Sequence, residues 1–135
     1  MRDCILAIDQ GTTGSRAVVF DAEARVIGGA YRELKQVYPK PGWVEHDPND
    51  IWRTVRTCVR EAVRDCAGRV AGVGITNQRE TTVCWDRSSG QPVGNAIVWQ
   101  CRRTAPLCAS LRPRAEAIRK KTGLPVDPYF SGTKM

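Results

Sequence analysis

A carboxylate, three hydroxyls and two glycines crowd into the run Asp9-Gln10-Gly11-Thr12-Thr13-Gly14-Ser15-Arg16. An apolar stretch, Cys4-Ile5-Leu6-Ala7-Ile8, leads into it, and another, Ala17-Val18-Val19-Phe20, leads out. An acid followed by a Gly/Thr/Ser turn between two strands suits phosphate and metal. Asp9 offers a carboxylate at a strand end. Gly11 and Gly14 let the backbone approach a ligand closely. Thr12, Thr13 and Ser15 add hydroxyl donors, and a tight turn can aim several N–H groups at one anion. Two better-known phosphate signatures are missing. The chain has no G-x-x-x-x-G-K-[ST], and Gly72-Val73-Gly74 lacks the third glycine of G-x-G-x-x-G. Taken alone, the turn reads equally well as a plain β-hairpin rich in Gly and Thr.

The elements that must position this turn follow from periodicity. Residues 4–9, 16–21 and 25–34 read as three strands joined by short turns, hence an antiparallel meander. A loop with Pro39, Pro41 and Gly42 comes next. Asp47-Pro48-Asn49-Asp50 then starts a helix, with Asp47 as cap, Pro48 in the first helical position and Asp50 at the positive end of the dipole. Its apolar face is Ile51, Val55, Cys58, Val59, Ala62 and Cys66, and it runs to Ala67, with Gly68 ending it. Residues 70–76 form a buried strand, and 81–86 and 93–98 two more around a Ser88-Ser89-Gly90 turn. A short helix starts near Thr104 with Pro106 in its first turn, a second spans 114–122 and stops at Gly123, and 125–135 is loop-like.

Bulk properties narrow the function classes. The 135 residues, 41% hydrophobic and 26% charged, suffice for one domain with a real core and argue against disorder. No apolar run approaches the ~20 residues of a membrane span. The N-terminus shows no secretory signal, so a cytoplasmic location is the default. Six cysteines at 4, 58, 66, 84, 101 and 108 form no C-x-x-C, and His46 is the only histidine, which disfavours zinc. Several cysteines fall at apolar positions, as reduced, buried thiols would. Part of the net charge of +7 is the helix stripe Arg53, Arg56, Arg60 and Arg64, a solvated basic face. The charge favours anionic ligands such as nucleotides, and no nucleic-acid motif accompanies it.

Five blocks together carry a resemblance. They are Asp9-Gln10-Gly11-Thr12-Thr13, the run 38–48 around Trp43-Val44-Glu45-His46, the run 74–82 around Asn77-Gln78-Arg79-Glu80, the run 96–104 around Trp99-Gln100-Cys101-Arg102-Arg103, and Asp127-Pro128-Tyr129-Phe130-Ser131-Gly132-Thr133-Lys134. Over essentially its whole length the chain resembles the N-terminal part of the FGGY carbohydrate kinases. The Arg79-Glu80 and Trp99 blocks resemble the branch that phosphorylates glycerol. The resemblance implies an α/β fold, an actin-like ATPase or ribonuclease-H-like domain in incomplete form: strand meander, helix, strand, then a β-hairpin insertion and short helices. Residues 1–135 would be a partial N-terminal domain with a phosphate hairpin at 8–16 and polyol-pocket segments at 77–103 and 127–134, the C-terminal domain being absent.

The implied activity is transfer of the ATP γ-phosphate to glycerol, giving sn-glycerol 3-phosphate in glycerol catabolism. Thr12, Thr13 and Gly14 would contact the nucleotide phosphates, with Arg16 beside them and Asp9 holding Mg²⁺ through water. Gly14 stands where some family members carry serine, which keeps the backbone contact and loses a hydroxyl. Arg79 would donate to polyol hydroxyls, Glu80 accept from them and Tyr129 add a phenolic bond, while Trp99 would lie against the C–H face. By themselves Arg79 and Glu80 read as a surface ion pair, and Trp99 and Tyr129 as core packing. His46 is expected to be structural. In the family the catalytic base is an aspartate further along, and the adenine site lies largely in a second domain. A chain of these residues alone is therefore expected to be inactive and marginally stable, with an open sheet edge and an exposed apolar face. Another FGGY sugar or polyol kinase, or a non-catalytic remnant binding glycerol or a partner, stays open as an alternative. So does a homo-oligomer of the full-length enzyme. Membrane and nucleic-acid partners are not expected.

Overall fold

The computed structural model describes residues 3–64, 66 and 69–135. In chain order the elements are β1 (Asp3–Gln10), β2 (Gly14–Phe20), β3 (Val26–Glu33), β4 (Glu45–His46), α1 (Pro48–Arg64), β5 (Arg69–Asn77), β6 (Ala96–Ile97), α2 (Ala105–Ser110) and α3 (Ala115–Thr122). Single 3₁₀ turns stand at Arg112–Arg114 and Ser131–Thr133. The chain divides into two compact units, Met1–Lys35 with Pro48–Gln78, and Gln36–Asp47 with Arg79–Met135.

The first unit is a four-stranded sheet with one helix on it. Its strand order is β3-β2-β1-β5. The expected meander is present: β1 pairs antiparallel with β2, and β2 with β3. β5 joins the other side of β1 in parallel. Side chains alternate across a strand, so Cys4 and Leu6 of β1 and Ala17 and Val19 of β2 turn inward onto Cys58 and Ala62 of α1. The helix begins at Pro48, with Asp50 in its first turn. Its expected end at Ala67 and Gly68 lies outside the described residues. Arg53, Arg56, Arg60 and Arg64 are exposed, as the amphipathic pattern requires.

Two details of this core depart from the sequence reading. The buried line of α1 is Thr54, Cys58 and Ala62, so a threonine sits where an aliphatic face was expected. Ser15 is fully buried, and its hydroxyl bonds Thr54 Oγ1 at 2.9 Å. Thr54 spends its own proton on the Ile51 carbonyl, which leaves Ser15 to donate. The Ser15 hydroxyl is therefore committed to the core and is not a phosphate donor. The strand expected to be buried at 70–76 is not: β5 is an edge strand and leaves Val70, Val73 and Ile75 exposed, at 38%, 56% and 73%.

The second unit is built from short pieces. β4 and β6 pair antiparallel, Glu45 opposite Ile97 and His46 opposite Ala96. The strands expected at 81–86 and 93–98 shrink to single bridges, Thr82 with Ile97 and Trp85 with Pro92, and β6 keeps only two residues. Two causes are local. Pro92 has no N–H to give a ladder. Asp86 Oδ1 gathers the N–H and hydroxyl of both Ser88 and Ser89, and Gly90 turns at φ +69°, so the tip is an Asp-centred turn. Those bonds hold the Asp86 carboxyl down at about 2. The short helices form as expected, with Pro106 in the first turn of α2 and Gly123, at φ +74°, closing α3.

The contact between sheet and helix is tight at one glycine. A Cβ added to Gly28 would lie 2.3 Å from the Ala62 carbonyl oxygen, which is backbone and cannot swing away. Gly28→Ala is expected to cost about 1–3 kcal/mol in urea unfolding. At Gly74 an added Cβ meets nothing within 4 Å, so Gly74→Ala should stay within about 0.5 kcal/mol. Equal stabilities for the two variants would refute this packing.

Candidate functional site

The chemistry-bearing residues fall into two clusters, one in each unit. In the first unit the β1–β2 turn is closed by the Gly11 N–H on the Gly14 carbonyl at 2.9 Å, and Leu34 donates its N–H to the Thr13 carbonyl at 2.9 Å. The turn is narrower than expected, because Gln10 and Ser15 are already paired. Cross-strand register places Thr76, Asp9, Arg16 and Tyr31 opposite one another in turn, across β5, β1, β2 and β3. All four are exposed. They form one polar row on the sheet face away from α1, just below the turn that carries Thr12 and Thr13. The Arg16 guanidinium also lies 5.7 Å from the Tyr31 ring centroid.

Gly14 has a packing reason as well. An added Cβ would lie 2.4 Å from the Tyr31 hydroxyl and 2.6 Å from the Arg32 carbonyl oxygen. A serine at this position would require β3 to give way, so the missing hydroxyl goes together with the close approach of β3.

In the second unit, Trp99 and Tyr129 come together with ring centroids 5.6 Å apart at 60°, and Tyr129 meets Phe130 at 5.0 Å and 77°. Edge-to-face contacts of this kind suit aromatic quadrupoles. Trp99 is half-buried and Tyr129 is 37% exposed, so neither is locked in a dry core. Glu80 forms no ion pair with Arg79 among the described residues. Instead Ser131 donates its N–H and its hydroxyl to Glu80 Oε2, at 2.8 and 2.9 Å. The Ser131 N–H, then its hydroxyl, hold the Glu80 carboxyl below the usual carboxylate range. Glu80 itself has φ +65°, a left-handed backbone that non-glycine residues seldom adopt. Arg79 is exposed.

A second network stands beside this one in the same unit. Arg103 pairs with Glu45, both largely buried, and donates from Nε to Cys101 Sγ at 3.0 Å. Its guanidinium lies 3.9 Å from the Trp43 ring centroid, and Asn95 donates to the other Glu45 oxygen at 2.9 Å. Burial alone would raise Glu45, but the bonds from Arg103 and Asn95 bring it below its ordinary value. The sequence reading gave Arg103 and Glu45 no role. Their one signal was charge inside blocks otherwise rich in apolar residues. A cavity of about 240 Å³ near α3, lined by Leu111, Ile118, Leu124, Pro125, Val126 and Phe130 among others, is mainly apolar and offers a polyol little to bond.

Sheet order, polar turn and aromatic–carboxylate cluster together fit one family. Residues 4–135 match the N-terminal domain of the FGGY family of carbohydrate kinases, and the chain belongs to that family. A glycerol kinase of Symbiobacterium thermophilum is 57% identical over 136 residues, covering 97% of this chain and 27% of its own length. The crystal structure of a Plasmodium falciparum glycerol kinase with ADP superposes with a TM-score of 0.94 at 34% identity, over 98% of this chain and 28% of that one. A xylulose kinase from Rhodospirillum rubrum gives 0.90 at 26% identity, over 97% and 28%. The chain spans about a quarter of the length of the curated relatives it matches. The expected actin-like α/β fold is the one these neighbours share.

His46 is fully buried in β4, and burial pushes its pKa below the ordinary 6.5. The unfolded chain takes up this proton near 6.5, while the folded state resists it until a lower pH. Stability is therefore full above that value and falls as pH drops through it. The melting temperature should fall between pH 7.5 and pH 5.5 (chosen to lie above the carboxylate range), and the fall should largely vanish in His46→Gln. A melting temperature flat across this window in the parent protein would refute the neutral, buried imidazole.

Proposed function

We propose that the protein carrying these residues is an ATP-dependent glycerol kinase acting in glycerol metabolism, in the cytoplasm. The observation that carries this reading is the Glu80 cluster. A carboxylate fixed through Oε2 by Ser131 presents Oε1, which makes no hydrogen bond to the described residues, beside an exposed guanidinium and an aromatic pair. Three hydroxyls on a short carbon chain ask for that set. Glu80 accepts, Arg79 donates, Tyr129 adds a phenolic bond, and Trp99 covers the C–H face. The identity of 57% and 55% to glycerol kinases over nearly the whole chain supports glycerol over a longer sugar.

On the phosphate side, Thr12, Thr13 and Gly14 would receive the nucleotide phosphates, with Arg16 adding positive charge. Asp9 fits a Mg²⁺ ion bound largely through water. It is an exposed, hard oxygen donor, and no group of three metal-ligating side chains competes with it among the described residues. Mg²⁺, when bound, would neutralise phosphate charge. In the transfer a glycerol hydroxyl oxygen bonds the γ-phosphorus, the bond to the ADP oxygen breaks, and the hydroxyl proton passes to a base. That base, an aspartate, and the adenine site are expected in the part of the family's length these residues do not match. Among the described residues no helix is long and apolar enough to cross a membrane.

The test uses the intact protein that carries this sequence, assayed with ATP and either glycerol, xylulose or gluconate. Glycerol should be the preferred acceptor. Arg79→Ala and Glu80→Ala should each lower kcat/KM for glycerol by roughly ten- to a hundredfold, since bonds to charged groups are worth about 1.5–3 kcal/mol. Undiminished glycerol use by both variants would overturn the polyol assignment. A preference for xylulose or gluconate would move the protein to another branch of the family.

A further inference from the structure

Two residues that the reading above assigns no contact with the polyol converge on the proposed polyol groups. Lys134 Nζ donates to the backbone carbonyl of Glu80 at 3.0 Å and to that of Tyr129 at 2.8 Å. One ammonium thus joins the backbones of two polyol residues 49 positions apart in the chain. Ser131 grips the Glu80 carboxylate through both its N–H and its hydroxyl. Between them, the Glu80 main chain and side chain are both tied to the segment 129–134.

The strain at Glu80 gives this arrangement a purpose. A non-glycine residue at φ +65° is unfavourable by about 1 kcal/mol and persists only where its surroundings over-determine it. Here the over-determination comes from Ser131 and Lys134. A glutamate has three side-chain torsions and would otherwise sample many rotamers. A small neutral polyol offers no charge to pull the carboxylate into place, so the carboxylate must be placed beforehand. Tyr129 is held in parallel. Its N–H donates to Asp127 Oδ1 at 2.8 Å, its carbonyl accepts from Lys134, and its ring rests on Trp99 and Phe130.

We propose that Ser131 and Lys134 are positioning residues for polyol recognition, holding Glu80 and Tyr129 in the orientation that receives the polyol hydroxyls. The inference rests on the polyol assignment of Glu80 and Tyr129 made above. Lys134 acts on the two backbones and Ser131 on the carboxylate, so the two substitutions weaken the same recognition from different sides. Both residues spend their bonds on Glu80 and Tyr129, so the effect expected of them is on the polyol and not on the nucleotide.

The experiment measures glycerol and ADP binding by calorimetry in the intact protein that carries this sequence. The variants are Lys134→Met, Ser131→Ala, Glu80→Gln and the double variant Ser131→Ala/Glu80→Gln. Lys134→Met and Ser131→Ala should each weaken glycerol binding by roughly tenfold, in line with the loss of hydrogen bonds to or from a charged group. ADP affinity should stay within about twofold, as expected of substitutions that share no partner with the proposed nucleotide groups. In the Glu80→Gln background, Ser131→Ala should cost less glycerol affinity than in the parent, because the Ser131 hydroxyl then holds a neutral amide oxygen rather than a carboxylate. Equal losses of glycerol and ADP affinity would mark a general structural role and overturn the proposal. If Glu80→Gln weakens glycerol binding while Lys134→Met and Ser131→Ala leave it unchanged, the proposal falls and the polyol assignment stands. If Glu80→Gln also has no effect, both fall. Should Lys134→Met fail to fold, the Ser131→Ala arm, which keeps the Ser131 N–H, decides alone.

Discussion

Everything in the first unit depends on β1 pairing on both sides at one register. It is antiparallel to β2 and parallel to β5, so its period of two is fixed twice over. Even positions, Cys4, Leu6 and Gln10, are buried; odd positions, Ile5 and Asp9, are exposed. A slip of one residue would drive Asp9 and Arg16 under α1 and lift Leu6 and Val19 into water. Burying an unpaired carboxylate costs far more than a lost apolar contact. The charged row and the apolar core therefore select the same register, and the Gly11–Gly14 turn inherits its place from that choice. Gly28 adds a steric limit, since β3 can approach Ala62 this closely only without a side chain.

In the second unit the comparable constraint is the Glu45–Arg103 pair. Its side chains are only 13% and 16% exposed, so both charges have lost most of their water. Such a pair adds little net stability, yet removing one partner strands the other, at about 3–5 kcal/mol. Its value lies in geometry. Glu45 belongs to β4, and Arg103 follows Trp99 by four residues. Their bond, the Asn95 amide and the Trp43 ring fix the loop on which Trp99 stands. With so few strand hydrogen bonds in this unit, side-chain pairing does the ordering that a ladder does in the first.

The difference between the units explains what the sequence made legible. β1, β2, β3 and the start of α1 form where periodicity and the Asp47-Pro48 start put them; β5 forms in its expected place but as an exposed edge strand rather than a buried one. Ser15 misleads, because a hydroxyl in a phosphate-like turn looks the same whether it faces ligand or core, and only the position of Thr54 on α1 decides. The strands at 81–86 and 93–98 misled because alternation cannot see that Asp86 draws four donors into its turn. Among the candidate site residues, the pairing of Trp99 with Tyr129 is compatible with their shared blocks, but no spacing rule predicts it. The grip of Ser131 and Lys134 on Glu80 was not legible at all. It runs partly through backbone carbonyls, which every residue has, and joins segments 51 to 54 positions apart.

On the proposed reading, the two clusters also obey different rules because their ligands differ. A phosphate is multiply charged, and N–H groups, hydroxyls and a guanidinium attract it from several directions. A turn with an exposed Thr13 and a polar row below it suffices, and side chains can settle as the anion arrives. A polyol is uncharged and competes with water for every bond. Its recognition needs donors and acceptors already aimed, since ordering them on binding would consume the small net gain of each bond. That is where the structure places a left-handed glutamate, a serine giving it two bonds and a lysine bridging two carbonyls. Rigidity is concentrated at the neutral ligand's groups, where charge cannot substitute for it.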